Sequence, residues 1–100
     1  MRLSNYEHTV LIDEAKSVFG NSSRAFLFGS RVNDSAKGGD IDLLSLPDGA
    51  ADSVTLFDKK ITFQIAVKKR IGDRKLDVIV KYPDDKRSII ETALSEGIEL

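Results

Sequence analysis

Gly29 and Ser30 follow directly after an apolar run, Ala25-Phe26-Leu27-Phe28, which is typical of a central strand buried on both faces. Glycine at this point lets the backbone turn sharply and approach a ligand closely. If a helical turn begins at Ser30, its free N–H groups and its hydroxyl group would bind phosphate. A strand followed by Gly-Ser is also an ordinary turn, and this stretch alone leaves both interpretations open.

Two aspartates, Asp40 and Asp42, begin the next apolar segment. Side chains two residues apart on a strand point to the same face, so the carboxylates project together while Ile41 and Leu43 pack inward. Neighbouring carboxylates raise each other's pKa unless a cation lies between them. The pair therefore predicts either a cation site or the solvent-facing start of a strand.

A third aspartate, Asp77, begins the apolar segment Val78-Ile79-Val80. Burying a carboxylate there is costly unless it is paired or bound to metal. The residue is therefore either part of a metal site or the partner of Arg74 or Lys75 in an ion pair.

Other charged side chains allow weaker inferences. Arg31 and Lys37 would lie near a phosphate bound at Ser30, or they point into solvent. His8 lies on the first predicted helix, away from the three motifs, and we interpret it as a structural or surface residue. The basic cluster of residues 68–70 and 74–75 suits the end of a helix; an acidic partner or an RNA is the alternative.

Composition excludes several kinds of site. The chain has 100 residues with no cysteine and one histidine, which excludes disulfides, thiolate zinc sites, cysteine nucleophiles and multi-histidine metal sites. Any metal must be held mainly by oxygen atoms, which indicates Mg²⁺ or Mn²⁺. A net charge of -1 provides no field that would attract nucleic acid or membrane. We expect a single domain over residues 1–100 that is soluble and cytoplasmic, because no apolar run approaches about 18 residues.

Apolar periodicity predicts a small α/β (α+β) fold, in which a mixed sheet is flanked by helices. Pro83 should end the third strand and Asp84-Asp85 should cap the last helix, and residues 98–100 could add an edge strand. The predicted helices are 6–19, 53–71 and 85–96, and the predicted strands are 25–28, 41–46 and 76–81.

The segment 53–71 is the ambiguous one, because residues 61–65 alternate as a strand would. We predict a helix for two reasons. Val54, Phe57, Ile61 and Ile65 share one helical face, and the basic residues before Gly72 suit a helix C-terminus. A helix here would make the crossover between two parallel strands.

The three motifs together are far more specific than any one of them. Their order and spacing resemble the signature of the DNA polymerase β-like nucleotidyltransferase superfamily. This signature is Gly29-Ser30, then nine residues, then Asp40-x-Asp42, and finally Asp77 on a later strand. The Phe-Leu-Phe-Gly-Ser-Arg and Gly-Asp-Ile-Asp-Leu-Leu segments are similar to those of its minimal nucleotidyltransferases. The resemblance covers residues 7–100 and implies the polymerase β-like fold.

The resemblance also implies a role for each matching residue. Gly29 and Ser30 would contact the β- and γ-phosphates of ATP. Asp40 and Asp42 would bind Mg²⁺ on the triphosphate. Asp77 would complete a second metal site, with the two ions about 4 Å apart, and help to deprotonate the attacking hydroxyl group.

Members of this family commonly act as antitoxins encoded beside a HEPN-domain ribonuclease. The resemblance therefore implies an enzyme that transfers AMP from ATP to a hydroxyl group of such a helical partner protein. A non-catalytic module that neutralises the partner by contact is the main alternative. A further alternative is an enzyme that transfers the nucleotide to a small molecule, although no substrate lobe is evident. We expect neither membrane binding nor nucleic acid as the direct substrate.

Overall fold

A computed structural model of the protein describes residues 3–29, 40–49, 51–72 and 74–100. Its elements follow the predicted order closely. They are α1 (Asn5–Phe19), β1 (Arg24–Phe28), β2 (Ile41–Leu46), α2 (Ser53–Ile71), β3 (Leu76–Val80), α3 (Ser88–Glu96) and β4 (Ile98–Glu99).

The strands form one mixed sheet in the order β3-β2-β1-β4. β1 is antiparallel to both β2 and β4, while β2 and β3 are parallel. A parallel pair needs a long crossover, and α2 provides it. The α/β prediction is therefore confirmed, and residues 61–67 are helical rather than a strand.

Both long helices begin at well-formed caps. The Ser4 hydroxyl group accepts a hydrogen bond from the Glu7 backbone N–H at 3.1 Å, and the Glu7 carboxylate accepts one from the Ser4 N–H at 2.9 Å. This reciprocal capping box satisfies two backbone donors that the first turn would otherwise leave unpaired. The Asp52 carboxylate caps α2 by accepting from the Thr55 N–H at 2.8 Å.

The last helix begins three residues later than predicted. Its N-cap is Arg87, which makes no capping hydrogen bond with its side chain. Asp85 instead organises the preceding turn, where its carboxylate accepts hydrogen bonds from the backbone N–H groups of Tyr82 and Arg87 and pairs with the Arg87 guanidinium. These bonds hold the pKa of Asp85 far below its usual value.

The sheet separates two cores, because alternate side chains of a strand point to opposite faces. One face carries residues such as Leu27, Ile41 and Leu43 and packs against α1 and α2. The other carries Phe26 and Leu44 and packs against α3. Among the described residues, no helix is long and apolar enough to cross a membrane.

The orientation of α2 corrects one expectation. The shared face of Val54, Phe57, Ile61 and Ile65 supported the helix prediction, yet this face is exposed by 71, 51, 41 and 51%. The core side of α2 carries Leu56, Phe63 and Val67 instead. Phe63 packs against Phe19 of α1 with ring centroids 5.4 Å apart. The helix is apolar on two sides, so periodicity alone could not decide which side is buried.

Most of the predicted basic cluster is paired within the chain rather than simply solvated. Arg70 forms an ion pair with Glu14 of α1 at 3.1 Å, and Arg74 forms one with Glu7. Both pairs join the C-terminal end of α2 to α1. Lys75 turns in the other direction, toward the aspartates of the sheet.

Candidate active site

Strand register brings the three predicted motifs to one place. Phe28, the last residue of β1, pairs with Asp42 on β2, and Asp42 in turn lies beside Asp77 on β3. Gly29 directly follows β1, and Asp40 directly precedes β2. Three segments that are distant in sequence therefore converge at the beginning of β2 and β3.

The aspartates lie on the sheet face that also carries α3. Asp42 alternates with the fully buried Ile41 and Leu43, which point into the opposite core as predicted. Asp77 likewise alternates with Leu76 and Val78. The side chains of Asp40 and Asp77 are 50 and 53% exposed, so a soluble ligand can reach them.

Asp42 is the most electrostatically crowded of the three. Burial raises the pKa of its carboxyl group, and the negative charges of Asp77 and Asp40 raise it further. A hydrogen bond between the carboxyl groups of Asp42 and Asp77 acts in the same direction, whereas Lys75 opposes the shift. Crowded carboxylates of this kind are stabilised in the charged form by a nearby cation.

Lys75 provides positive charge at the edge of this cluster. Its Nζ atom lies 3.7 Å from Asp40 Oδ2 and 3.9 Å from Asp77 Oδ2. The predicted ion pair between Asp77 and Lys75 is therefore present, but both contacts are long and the lysine is 66% exposed. Exposed pairs of this kind stabilise a protein little. Sequence reasoning had placed Lys75 in a basic helix end and had missed its contact with Asp40.

Both the backbone conformation and a close contact require glycine at position 29. Its φ of 74° lies in the left-handed region that favours glycine. A Cβ atom added at this position would also overlap Asp42 Oδ2. The glycine therefore allows the backbone after β1 to lie directly against the Asp42 carboxylate.

Some predicted site residues lie outside the described residues, namely Ser30, Arg31 and Lys37. His8 is on α1, whose apolar side packs on the sheet face opposite Asp42. This position agrees with its interpretation as a structural residue.

The chemistry of the cluster fits a hard divalent cation. Asp40, Asp42 and Asp77 offer only carboxylate oxygens, the ligands that Mg²⁺ and Mn²⁺ prefer. Within the described ranges, no three such side chains already stand in a coordinating arrangement. The fit therefore rests on the strand register that places Asp42 beside Asp77 and on the oxygen donors of the three carboxylates.

A cavity of about 410 Å³ lies at the other end of the same strands, lined by residues that include Leu46, Leu56 and Tyr82. None of the described residues that line this cavity carries a carboxylate group. We therefore assign the chemistry to the shallower aspartate cluster.

The family assignment agrees with this site. Residues 9–100 match the family model described as a nucleotidyltransferase domain, and the chain belongs to this family. The match supports the resemblance to the polymerase β-like superfamily, whose members carry out nucleotidyl transfer. Comparison with curated proteins gives no match.

Proposed function

We propose that this nucleotidyltransferase domain is a Mg²⁺-dependent enzyme that transfers AMP from ATP to a hydroxyl group of a partner protein. The observation that carries the proposal is the register of Asp42 beside Asp77, with Gly29 against Asp42. This arrangement combines a cation-binding cluster with a backbone turn that can approach phosphate closely.

Each residue has a defined part in the transfer. Asp40 and Asp42 would hold the metal, with Asp77 as the third carboxylate. When bound, two divalent ions would neutralise phosphate charge and stabilise the entering and leaving oxygens. Gly29 lets the backbone lie directly against Asp42, and the family resemblance makes Gly29 and Ser30 the contacts to the triphosphate. Arg31 would neutralise phosphate charge.

The reaction is an in-line substitution at the α-phosphorus of ATP. The acceptor oxygen forms a bond to this phosphorus, the bond to the β-phosphate oxygen breaks, and pyrophosphate leaves. Asp77 would accept the proton of the acceptor hydroxyl group, since its half-exposed carboxylate lies beside Asp42. Most of the catalysis would come from positioning and from charge neutralisation.

For the acceptor we propose a helical HEPN-type ribonuclease that the transfer inactivates, which would make the chain an antitoxin. This proposal follows from the resemblance to the minimal nucleotidyltransferases.

The test is incubation of the protein with Mg²⁺, ATP labelled at the α-phosphate, and the product of the neighbouring gene. We expect label on that product, and none when the label is at the γ-phosphate, because that phosphate leaves in pyrophosphate. A matched control is Asp84→Asn, at the far end of β3, where φ is 56° and asparagine fits well. This variant should transfer normally. A partner that is neutralised without label would instead support the non-catalytic binding module.

A further inference from the structure

A contiguous apolar stripe runs along the solvent side of α2. It consists of Val54, Phe57, Ile61 and Ile65, exposed by 71, 51, 41 and 51%. Single exposed apolar residues are common, but four on one face of one helix indicate an interaction surface. The opposite side of α2 is already covered by the protein's own core.

The spacing of the stripe is symmetric. Together with Lys68, its residues occupy positions 54, 57, 61, 65 and 68, separated by three, four, four and three residues. An interface between two copies related by a two-fold axis must be self-complementary. Antiparallel packing centred on Ile61 satisfies this condition, because Ile61 meets Ile61, Phe57 meets Ile65 of the second copy, and Val54 meets the aliphatic part of Lys68 of the second copy.

The charges beside the stripe favour the same arrangement. Asp58 is the one acidic residue of α2 and lies in its N-terminal half, where Lys60 covers part of the Phe57 ring, whereas Lys68 and Lys69 lie in the C-terminal half. In the part of the chain that the structure describes, the side chains of Asp58, Lys68 and Lys69 form no ion pair. Antiparallel packing brings Asp58 of each copy toward Lys68 and Lys69 of the other, while parallel packing places the two Lys68 side chains together.

We propose that α2 packs antiparallel against α2 of a second copy of this chain, with the two-fold axis at Ile61. From Val54 to Lys68 the proposed contact face is about 21 Å long. One helical face offers less than the roughly 800 Å² per partner of standard-size interfaces, so we expect a weak and reversible dimer. Asp42 and Asp77 lie on the other side of the sheet, so both sites stay open.

Cross-linking tests the geometry directly, because the chain has no cysteine of its own. Ile61→Cys should oxidise rapidly to a covalent dimer. Val54→Cys should not link to itself, since its two copies would be about 21 Å apart in an antiparallel pair. A mixture of Val54→Cys and Lys68→Cys should give the mixed dimer. Equal self-linking at positions 54 and 61 would overturn the antiparallel arrangement.

Sedimentation equilibrium tests the association itself, across the micromolar range. The unmodified protein should show a monomer–dimer equilibrium, and Ile61→Asp should weaken it at least about tenfold because two carboxylates would meet at the axis. The control is Leu94→Asp on α3, at a residue of matched exposure, 40% against 41%; it should leave the equilibrium unchanged. A wild-type protein that stays monomeric at every concentration, or that associates only with a different protein, would refute the proposal. Neither result depends on nucleotidyl transfer.

Discussion

At the scale of single residues, the site depends on how tightly Gly29 and Asp42 approach each other. Gly29→Ala should lower the free energy of unfolding by about 1–2 kcal/mol, because alanine is strained at a φ of 74°. It should also weaken ATP binding, because the new Cβ displaces the Asp42 carboxylate. Urea unfolding and calorimetry measure the two effects. The control is Gly72→Ala, which has a φ of 92° but nothing within 4 Å of the added Cβ, and it should affect stability alone.

Asp42 should make stability depend on pH in a defined direction. Its pKa is raised in the folded protein, so the folded state holds this proton more tightly than the unfolded state does. The free energy of unfolding therefore falls as the pH rises from the ordinary aspartate value through the raised one. Without metal, Asp42→Asn should melt at a higher temperature than the wild type at neutral pH, and this difference should vanish below about pH 4. A variant that is less stable at both pH values would contradict the repulsion among these aspartates.

Lys75 should compete with a divalent ion, because it contacts two of the proposed ligands. Lys75→Gln should strengthen binding of Mn²⁺ alone by about two- to fivefold, in keeping with the small energy of an exposed ion pair. Electron paramagnetic resonance of free Mn²⁺ measures this effect. Lys81→Gln, at the opposite end of β3, is the matched control. Weaker Mn²⁺ binding in Lys75→Gln would show that the lysine supports the site rather than competing for it.

At the scale of elements, the bounds of α2 could be predicted from the sequence, but the side that it buries could not. Its bounds agree with prediction, since Asp52 supplies a cap and Gly72 a stop. Its orientation did not follow from the pattern, because apolar residues lie on two sides and only tertiary packing selects one. The site shows the same division. The types and order of its residues predicted a metal cluster. The pairing of Asp42 with Asp77 depends on how β3 aligns with β2 across the long α2 connection, which the local sequence does not show.

The same helix gives a direct test of which side is the core. Phe63→Ala should destabilise the fold by about 3–5 kcal/mol, because Phe63 is fully buried against Phe19. Phe57→Ala removes the same side chain from the exposed stripe and should change the unfolding energy of the monomer by less than about 1 kcal/mol. Chemical denaturation at low protein concentration measures both. Comparable losses for the two variants would mean that both sides of α2 are buried.

At the scale of the whole molecule, one face of the sheet forms the larger core and the other carries the candidate site. One face is filled by α1 and α2, and this core fixes the register of the strands. The other face is covered by α3 and carries the half-exposed aspartates near the beginning of β2 and β3. Strand register holds Asp42 beside Asp77, while Asp40 and Asp77 stay half exposed to solvent. The surface of α2 points away from this site, so association and transfer are separable.

The most direct test of this account is Asp77→Asn, with ATP binding and transfer measured on the same preparation. If Asp40 and Asp42 anchor the nucleotide-bound ion and Asp77 serves the attacking hydroxyl group, the variant should keep ATP and Mg²⁺ binding within a fewfold of wild type. Label transfer should fall by orders of magnitude, because the lost stabilisation belongs to the transition state. If Asp77 is instead only the ion-pair partner of Lys75, transfer should fall no further than the folded fraction does. Full transfer by well-folded Asp77→Asn protein would contradict the catalytic role assigned to Asp77.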